Sequence, residues 1–409
     1  MRGRRAGAAG IPARTSSPDA RYESPHGVLA DTSPTSRELG FYVHMPFCQT
    51  RCHFCSFNTA PFDREALARY LEAVHREIAL VGSLPWAGAI TIVSVFLGGG
   101  TPSLLHPDDV AALLRALGAR VPVASDAEVT LECNPESVSV DTFAGYRAAG
   151  VTRFSLGVQA LDDTVLARLG RLHSARDAHA AFVAARAAGA DNVSVDLMYG
   201  LPGVDVAAWI RTIDQVLDWQ PDHLSAYGLT LDAGSRWGAA GVPDLPPEGV
   251  VVEQYWALAR CAQRRGFEHY EISNYARPGF RSRHNQIYWR AAEYLAGGPG
   301  ACGFIGDVRY GNHKPVPRYV SALAAGTLPL ETWERLTPRQ RQAERLILGL
   351  RTADGVPRAW LDERVAADAR LERLATDWEE AGLLRRDSGR AVLTESGFLL
   401  SDALFVELL

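Results

Sequence analysis

The chain has 409 residues, 47% of them hydrophobic and 22% charged, with a formal net charge of −5. That length exceeds one ordinary compact core, so a barrel-sized domain with a smaller companion is expected. The composition is that of a globular protein, no long unbroken apolar run offers a transmembrane helix, and the negative balance argues against nucleic acid as the main partner.

Residues 1–38 are rich in Arg, Ala, Gly, Ser and Pro and show no apolar periodicity. They lack the apolar stretch of a secretory signal, and Asp19, Glu23 and Asp31 argue against an organelle transit peptide. A disordered leader is the expectation there.

From Phe41 onward, β-rich runs alternate with amphipathic segments. The expected strands are Phe41–Met45, Ile92–Leu97, Glu128–Glu132, Arg153–Val158, Asn192–Met198 and His223–Leu229. Asp63 is placed to cap a helix in which Leu67, Tyr70, Leu71, Val74 and Ile78 recur at helical spacing. Further helices fit Pro107–Leu117, Val140–Ala149, Ala175–Ala188 and Val206–Trp219. This alternation predicts a parallel sheet with right-handed crossovers, and six units predict an α/β fold with a partial, TIM-like (β/α)6 barrel over 39–235. Residues 236–336 read as an extension of the barrel.

The remaining segment, 337–409, is expected to hold helices near Pro338–Leu350, Ala359–Val365 and Arg370–Ala381, then a hairpin over Leu383–Thr394 turning at Asp387–Ser388–Gly389. That is a small winged-helix-like domain. Its 11 arginines are outnumbered by 13 acidic residues, so it carries no basic footprint for DNA and reads as a packing or docking module.

Six cysteines are present, and three of them, Cys48, Cys52 and Cys55, fall within eight residues directly after the first strand. This is no disulfide framework. Clustered thiols in a reducing, cytoplasmic compartment point to metal. Three thiolates in one loop suit three irons of a 4Fe-4S cluster. A closed cluster needs one more cysteine, and Ser56 and Phe57 stand next instead, leaving the last iron open to a small molecule. Zinc completed by His44 or His53 is the rival, and inert thiols are the plainest alternative.

Other motifs gather at the C-terminal ends of the strands, where barrel sites assemble. They are Gly98-Gly99-Gly100-Thr101-Pro102, Glu132-Cys133-Asn134-Pro135, Gly157-Val158-Gln159, Leu169-Gly170-Arg171 with His173, and Asp196-Leu197-Met198-Tyr199-Gly200. Such a rim suits S-adenosylmethionine. Backbone carbonyls after the glycines meet its ammonium, Arg171 its carboxylate, and Glu132 or Asp196 its ribose hydroxyls.

At these residues the chain resembles the radical S-adenosylmethionine superfamily, and within it the group of oxygen-independent coproporphyrinogen III dehydrogenases and HemW heme chaperones. The motifs are Tyr42-Val43-His44-Met45-Pro46-Phe47-Cys48 with the two further cysteines, Gly98–Ser103, Glu132–Pro135, Arg153–Gln159, Asp196–Pro202, Tyr270–Pro278 and His284-Asn285-Gln286-Ile287-Tyr288-Trp289. They cover about Phe41 to Asn312. The resemblance implies a radical S-adenosylmethionine barrel, with Tyr42, Gly99, Gly100, Thr101, Glu132, Gln159, Arg171 and Asp196 as S-adenosylmethionine contacts.

Two features favour the HemW branch. The dehydrogenase has an additional Cys where this chain has Phe57, and the His284–Trp289 signature is similar to the HemW motif whose histidine is implicated in heme binding. The implied function is heme delivery to unidentified acceptor hemoproteins, respiratory ones among the candidates. His284 would ligate heme, Arg281 and Arg283 meet its propionates, and Tyr288 and Trp289 form an apolar wall. The alternative is oxidative decarboxylation of coproporphyrinogen III. The chain departs from its relatives at Cys302, where they commonly have His after Gly-Pro-Gly-Ala, and at Val204-Asp205, where they tend to have Gln-Thr.

Overall fold

The structure is a computed structural model that describes residues 24–366, 368–387 and 389–408. One 12-stranded sheet organises most of it. In chain order its strands are β1 Glu38–Met45, β2 Thr91–Gly99, β3 Val123–Cys133, β4 Arg153–Gln159, β5 Val193–Tyr199, β6 His223–Gly228, β7 Glu268–Glu271, β8 Asn274–Ala276, β9 Tyr294–Gly297, β10 Cys302–Ile305, β11 Val308–Asn312 and β12 Leu330–Arg335.

The spatial order is β12-β11-β10-β9-β1-β2-β3-β4-β5-β6-β8-β7. Strands β1 to β6 run parallel, as the alternation predicts. Strand β9 adds a further parallel strand on the free side of β1. The segment read as an extension thus supplies both margins, with β8 and β7 antiparallel beyond β6 and β10 to β12 antiparallel beyond β9. Runs as short as Asn274–Ala276 carry too little periodicity to be found alone.

Helices pack on the outer face by the expected means. Asp63 caps Arg64–Gly82 by accepting from the Ala66 N–H, and Tyr70, Val74, Ile78 and Val81 form its buried stripe. Ser139, Ser174 and Asp205 cap the helices after β3, β4 and β5. The inner face is unusually polar for a barrel. Alternation turns Ser94, Thr130, Ser155, Ser194 and Ser225 away from the helices, and all are buried.

The leader expectation is corrected over its last part. Residues 25–30 form a helix capped by the Ser24 hydroxyl, because Val28 and Leu29 are apolar enough to be buried against the barrel. The Thr35 and Ser36 N–H groups then donate to buried Glu293. Residues 1–23, where the rest of that expectation falls, lie outside the described residues.

The C-terminal segment has its own core of Leu346, Leu350, Leu361, Trp378, Leu393 and Phe405, among others. Its helices are Pro338–Leu350, Arg358–Ala366 and Ala369–Glu380, followed by strands Leu384–Asp387 and Arg390–Leu393. Among the described residues no helix is long and apolar enough to cross a membrane.

Candidate functional site

The cysteine loop leaves β1 at Met45 and is tied to the barrel mouth by backbone bonds. Gly100 N–H donates to Met45 O at 2.7 Å, and Thr101 N–H to Phe47 O at 2.9 Å. This approach leaves no room for a side chain at position 100, since a Cβ there would lie 2.7 Å from Phe47 O and 2.9 Å from Met45 O. Gly99, at φ +112°, would place a Cβ 2.5 Å from the His44 ring. The glycine run is therefore a cradle for the loop.

Cys48, Cys52 and Cys55 are all free and half-buried. Burial pushes the Cys48 and Cys55 thiols up, and the neighbouring thiols add to the effect, while Thr101 at Cys48 and Arg171 at both oppose it. Arg171 has one Nη 3.6 Å from Cys52 Sγ, and the other donates to Asn134 Oδ1 and Gly157 O, each at 2.8 Å. Its Nε is buried without a partner. These features fit an anionic group bound by thiolates: three soft ligands, a guanidinium against one of them, and an unused donor beside it.

Zinc fits less well. His44 Nδ1 accepts from Tyr42 and its Nε2–H donates to Asn58 O, while His53 Nδ1–H donates to Arg168 O and its Nε2 accepts from Arg236. Neither ring keeps a lone pair for the metal. Among the described residues no three His, Cys, Asp or Glu side chains converge on a single-ion site.

Below the loop, Glu132 accepts from Gly99 N–H at 2.9 Å, and Asp196 accepts from Ser155 Oγ at 3.0 Å and Ser194 Oγ at 3.3 Å. Burial pushes Glu132 up to about 7, outweighing the Gly99 N–H, and raises Asp196 in the same sense. Both pocket carboxylates thus want donors, which ribose hydroxyls provide. Gln159 ends β4 at φ +68°, a left-handed conformation that costs an ordinary side chain about 1–2 kcal/mol. Together Cys52, Thr101, Asn134, Glu136, Gly170 and Arg171 line a cleft of ≈ 250 Å3, counting space open to solvent.

Three further residues complete the site: His173, which belongs to the rim motifs, and Asn134 and Asn58, to which the sequence assigns no role. Asn134 links Arg171 to Thr101, His173 spans Glu136 and Val158 O, and Asn58 ties the cysteine loop to Pro299 O and Lys314 O. Asn134 lies in the Glu132–Pro135 motif, where the carboxylate is the more conspicuous group.

His284 lies elsewhere, at the opposite end of the barrel interior. It is 1% exposed, with Nδ1 2.9 Å from Ser94 Oγ and Nε2 2.8 Å from Tyr288 Oη. The rings of Phe96, Tyr288 and Tyr42 surround it. Burial pushes its imidazole down to about 3, so it is neutral. In this arrangement neither ring nitrogen is open to iron, because His284, in the first turn of the helix Arg283–Trp289, points into the barrel. Arg281 is committed to Glu268 and Asp354, and Arg283 to Asp126. Cys302 is exposed on the same face of β10 as Phe304.

Residues 42–216 match the model of the Radical SAM superfamily and residues 336–400 that of the HemN C-terminal domain. Over 380 residues the chain is 39% identical to heme chaperone HemW of Mycobacterium tuberculosis, covering 91% of this chain and 95% of that one. The chain belongs to the HemW family. The HemW of Bacillus subtilis is 31% identical over 89% of this chain and 97% of its own. In structure, coproporphyrinogen III oxidase (HemN) from Escherichia coli matches with a TM-score of 0.81 at 24% identity, over 97% of this chain and 96% of that one, which shows the shared fold. Membership of the radical SAM superfamily brings with it a 4Fe-4S cluster and S-adenosylmethionine.

Proposed function

We propose that this HemW-family chain is a cytoplasmic heme chaperone that binds heme and passes it to an acceptor hemoprotein. The observation that carries the reading is identity along nearly the whole length of relatives named heme chaperone. Phe57, 62% exposed just after the cluster cysteines, supports it, since the dehydrogenase branch resembles this chain but has a cysteine there.

In this reading Cys48, Cys52 and Cys55 hold the cluster. S-adenosylmethionine lies against Tyr42, Gly99, Gly100, Thr101, Glu132, Gln159, Arg171 and Asp196. When bound, the cluster supplies an electron to the sulfonium, chemistry that belongs to the cofactor pair. The chain's own residues position and shield. Arg171 balances thiolate charge, the glycine cradle fixes the loop, and Glu132 and Asp196 accept hydroxyls from below.

Anaerobic reconstitution followed by iron, sulfide and heme quantification, with and without S-adenosylmethionine, tests the whole reading. The expected result is about one cluster and one heme per chain. Robust formation of protoporphyrinogen from coproporphyrinogen III would replace chaperone by oxidase. Zinc without iron or sulfide would remove the cluster.

A further inference from the structure

A second pocket lies on the outer side of the barrel floor, where the helix Arg283–Trp289 meets the Pro338–Leu350 helix of the C-terminal segment. It is an open hollow of ≈ 650 Å3, counting space open to solvent, so a ligand would lie in it partly exposed. Its apolar walls are Tyr288, Trp289, Tyr294 and Phe304, brought together from the helix, β9 and β10. At its rim stand Arg341 and Arg345, one helical turn apart on the Pro338–Leu350 helix.

These two arginines differ from those the sequence offered for propionates. Arg281 and Arg283 are spent on carboxylates. Arg341 rests on the Phe304 ring at 5.8 Å and Arg345 on the Trp360 ring at 4.9 Å. Among the described residues neither has a carboxylate partner. The one carboxylate at the pocket, Glu344, is already paired with Arg309. Trp289 Nε1–H is buried there without an acceptor. An aromatic-walled hollow edged by two guanidiniums without carboxylate partners, i and i+4, suits an apolar aromatic molecule carrying two carboxylates on one side.

We infer that this pocket seats heme, with the macrocycle against Tyr288, Tyr294 and Phe304 and its propionates on Arg341 and Arg345, so that the C-terminal module is part of the cargo site. The inference rests on the heme-chaperone reading and adds its location. It also gives the module a use that its acid-rich surface did not suggest, since the local charge at this rim is positive although the segment as a whole is not.

The test is a titration of ferric heme and of heme dimethyl ester, followed by Soret absorbance, into the full chain and into Arg341→Gln/Arg345→Gln. Both ligands have the same ring and iron, but the ester lacks the carboxylates. The wild type should bind heme at least about tenfold more tightly than the ester. The double variant should bind heme about tenfold more weakly and lose most of that preference, with iron content and melting temperature unchanged. A double variant with wild-type heme affinity and an undiminished preference for heme over ester overturns the site and leaves the chaperone reading standing. A wild-type chain that binds no heme overturns that reading, and the site with it.

Discussion

Replacing His284 separates a buried strut from an iron ligand. The imidazole is enclosed, shared between Ser94 and Tyr288, and its pKa falls from 6.5 to about 3. The unfolded chain therefore binds a proton at this position between pH 6.5 and about 3 that the folded chain refuses. Stability supplied here is complete above pH 6.5 and is lost as pH falls through that window. At pH 5, about 1.5 units below the unfolded value, the loss is about 2 kcal/mol at 1.36 kcal/mol per unit. His284→Gln keeps a polar side chain but takes no proton. Urea denaturation of the cluster-free protein at pH 7.5 and pH 5.0, followed by far-UV circular dichroism, should give a wild-type loss larger than the variant's by about 2 kcal/mol. His284→Ala should lose about 3 kcal/mol at either pH, from two stranded partners and a cavity. Equal pH responses of wild type and His284→Gln would refute the buried neutral imidazole. A His284→Ala protein with wild-type stability but no heme Soret band would show an iron ligand instead.

Glu77 gives the opposite slope. It is buried under Gly298 N–H, Asn312 and Tyr319, and burial raises it from 4.5 to about 7. Its contribution is full below pH 4.5 and falls by about 3 kcal/mol as pH rises to about 7, a slope that Glu77→Gln should abolish in the same denaturation series. Gly100→Ala must push Phe47 O and Met45 O aside, so it should cost more than about 2 kcal/mol and lower iron per chain after reconstitution. Arg171→Met removes the guanidinium beside Cys52 and should weaken S-adenosylmethionine binding by about tenfold or more, measured by equilibrium dialysis of the reconstituted protein.

What the sequence made legible follows from contact range. The six core strands, the cap at Asp63, the helices after the third, fourth and fifth strands and the cysteine loop are local patterns. Four strands lie within two residues of their expected bounds, while Glu38–Met45 and Val123–Cys133 begin three and five residues before theirs. The joining of β9 to β1 is not local, since Gly40 pairs with Tyr294 across most of the barrel domain. The surroundings of His284 are non-local in the same way. Its motif identifies a family feature, but whether the ring faces solvent depends on Ser94, far away in sequence on β2. Arg281 and Arg283 looked available until Asp354 and Asp126 were brought beside them. The positive φ of Gln159 and the backbone approach at Gly100 are invisible without coordinates, although the glycine itself hinted at the second.

Tyr288 has two sides. Its ring is a wall of the outer pocket, and its hydroxyl holds the His284 ring that closes the barrel from below. Beyond His284 stands Tyr42, whose hydroxyl meets His44, and His44 meets Asn58 in the cysteine loop. Tyr288, His284, Tyr42 and His44 thus stand in series between the outer pocket and the cysteine loop. A molecule that leans on Tyr288 from outside leans on the same short column of rings that props the cysteine loop.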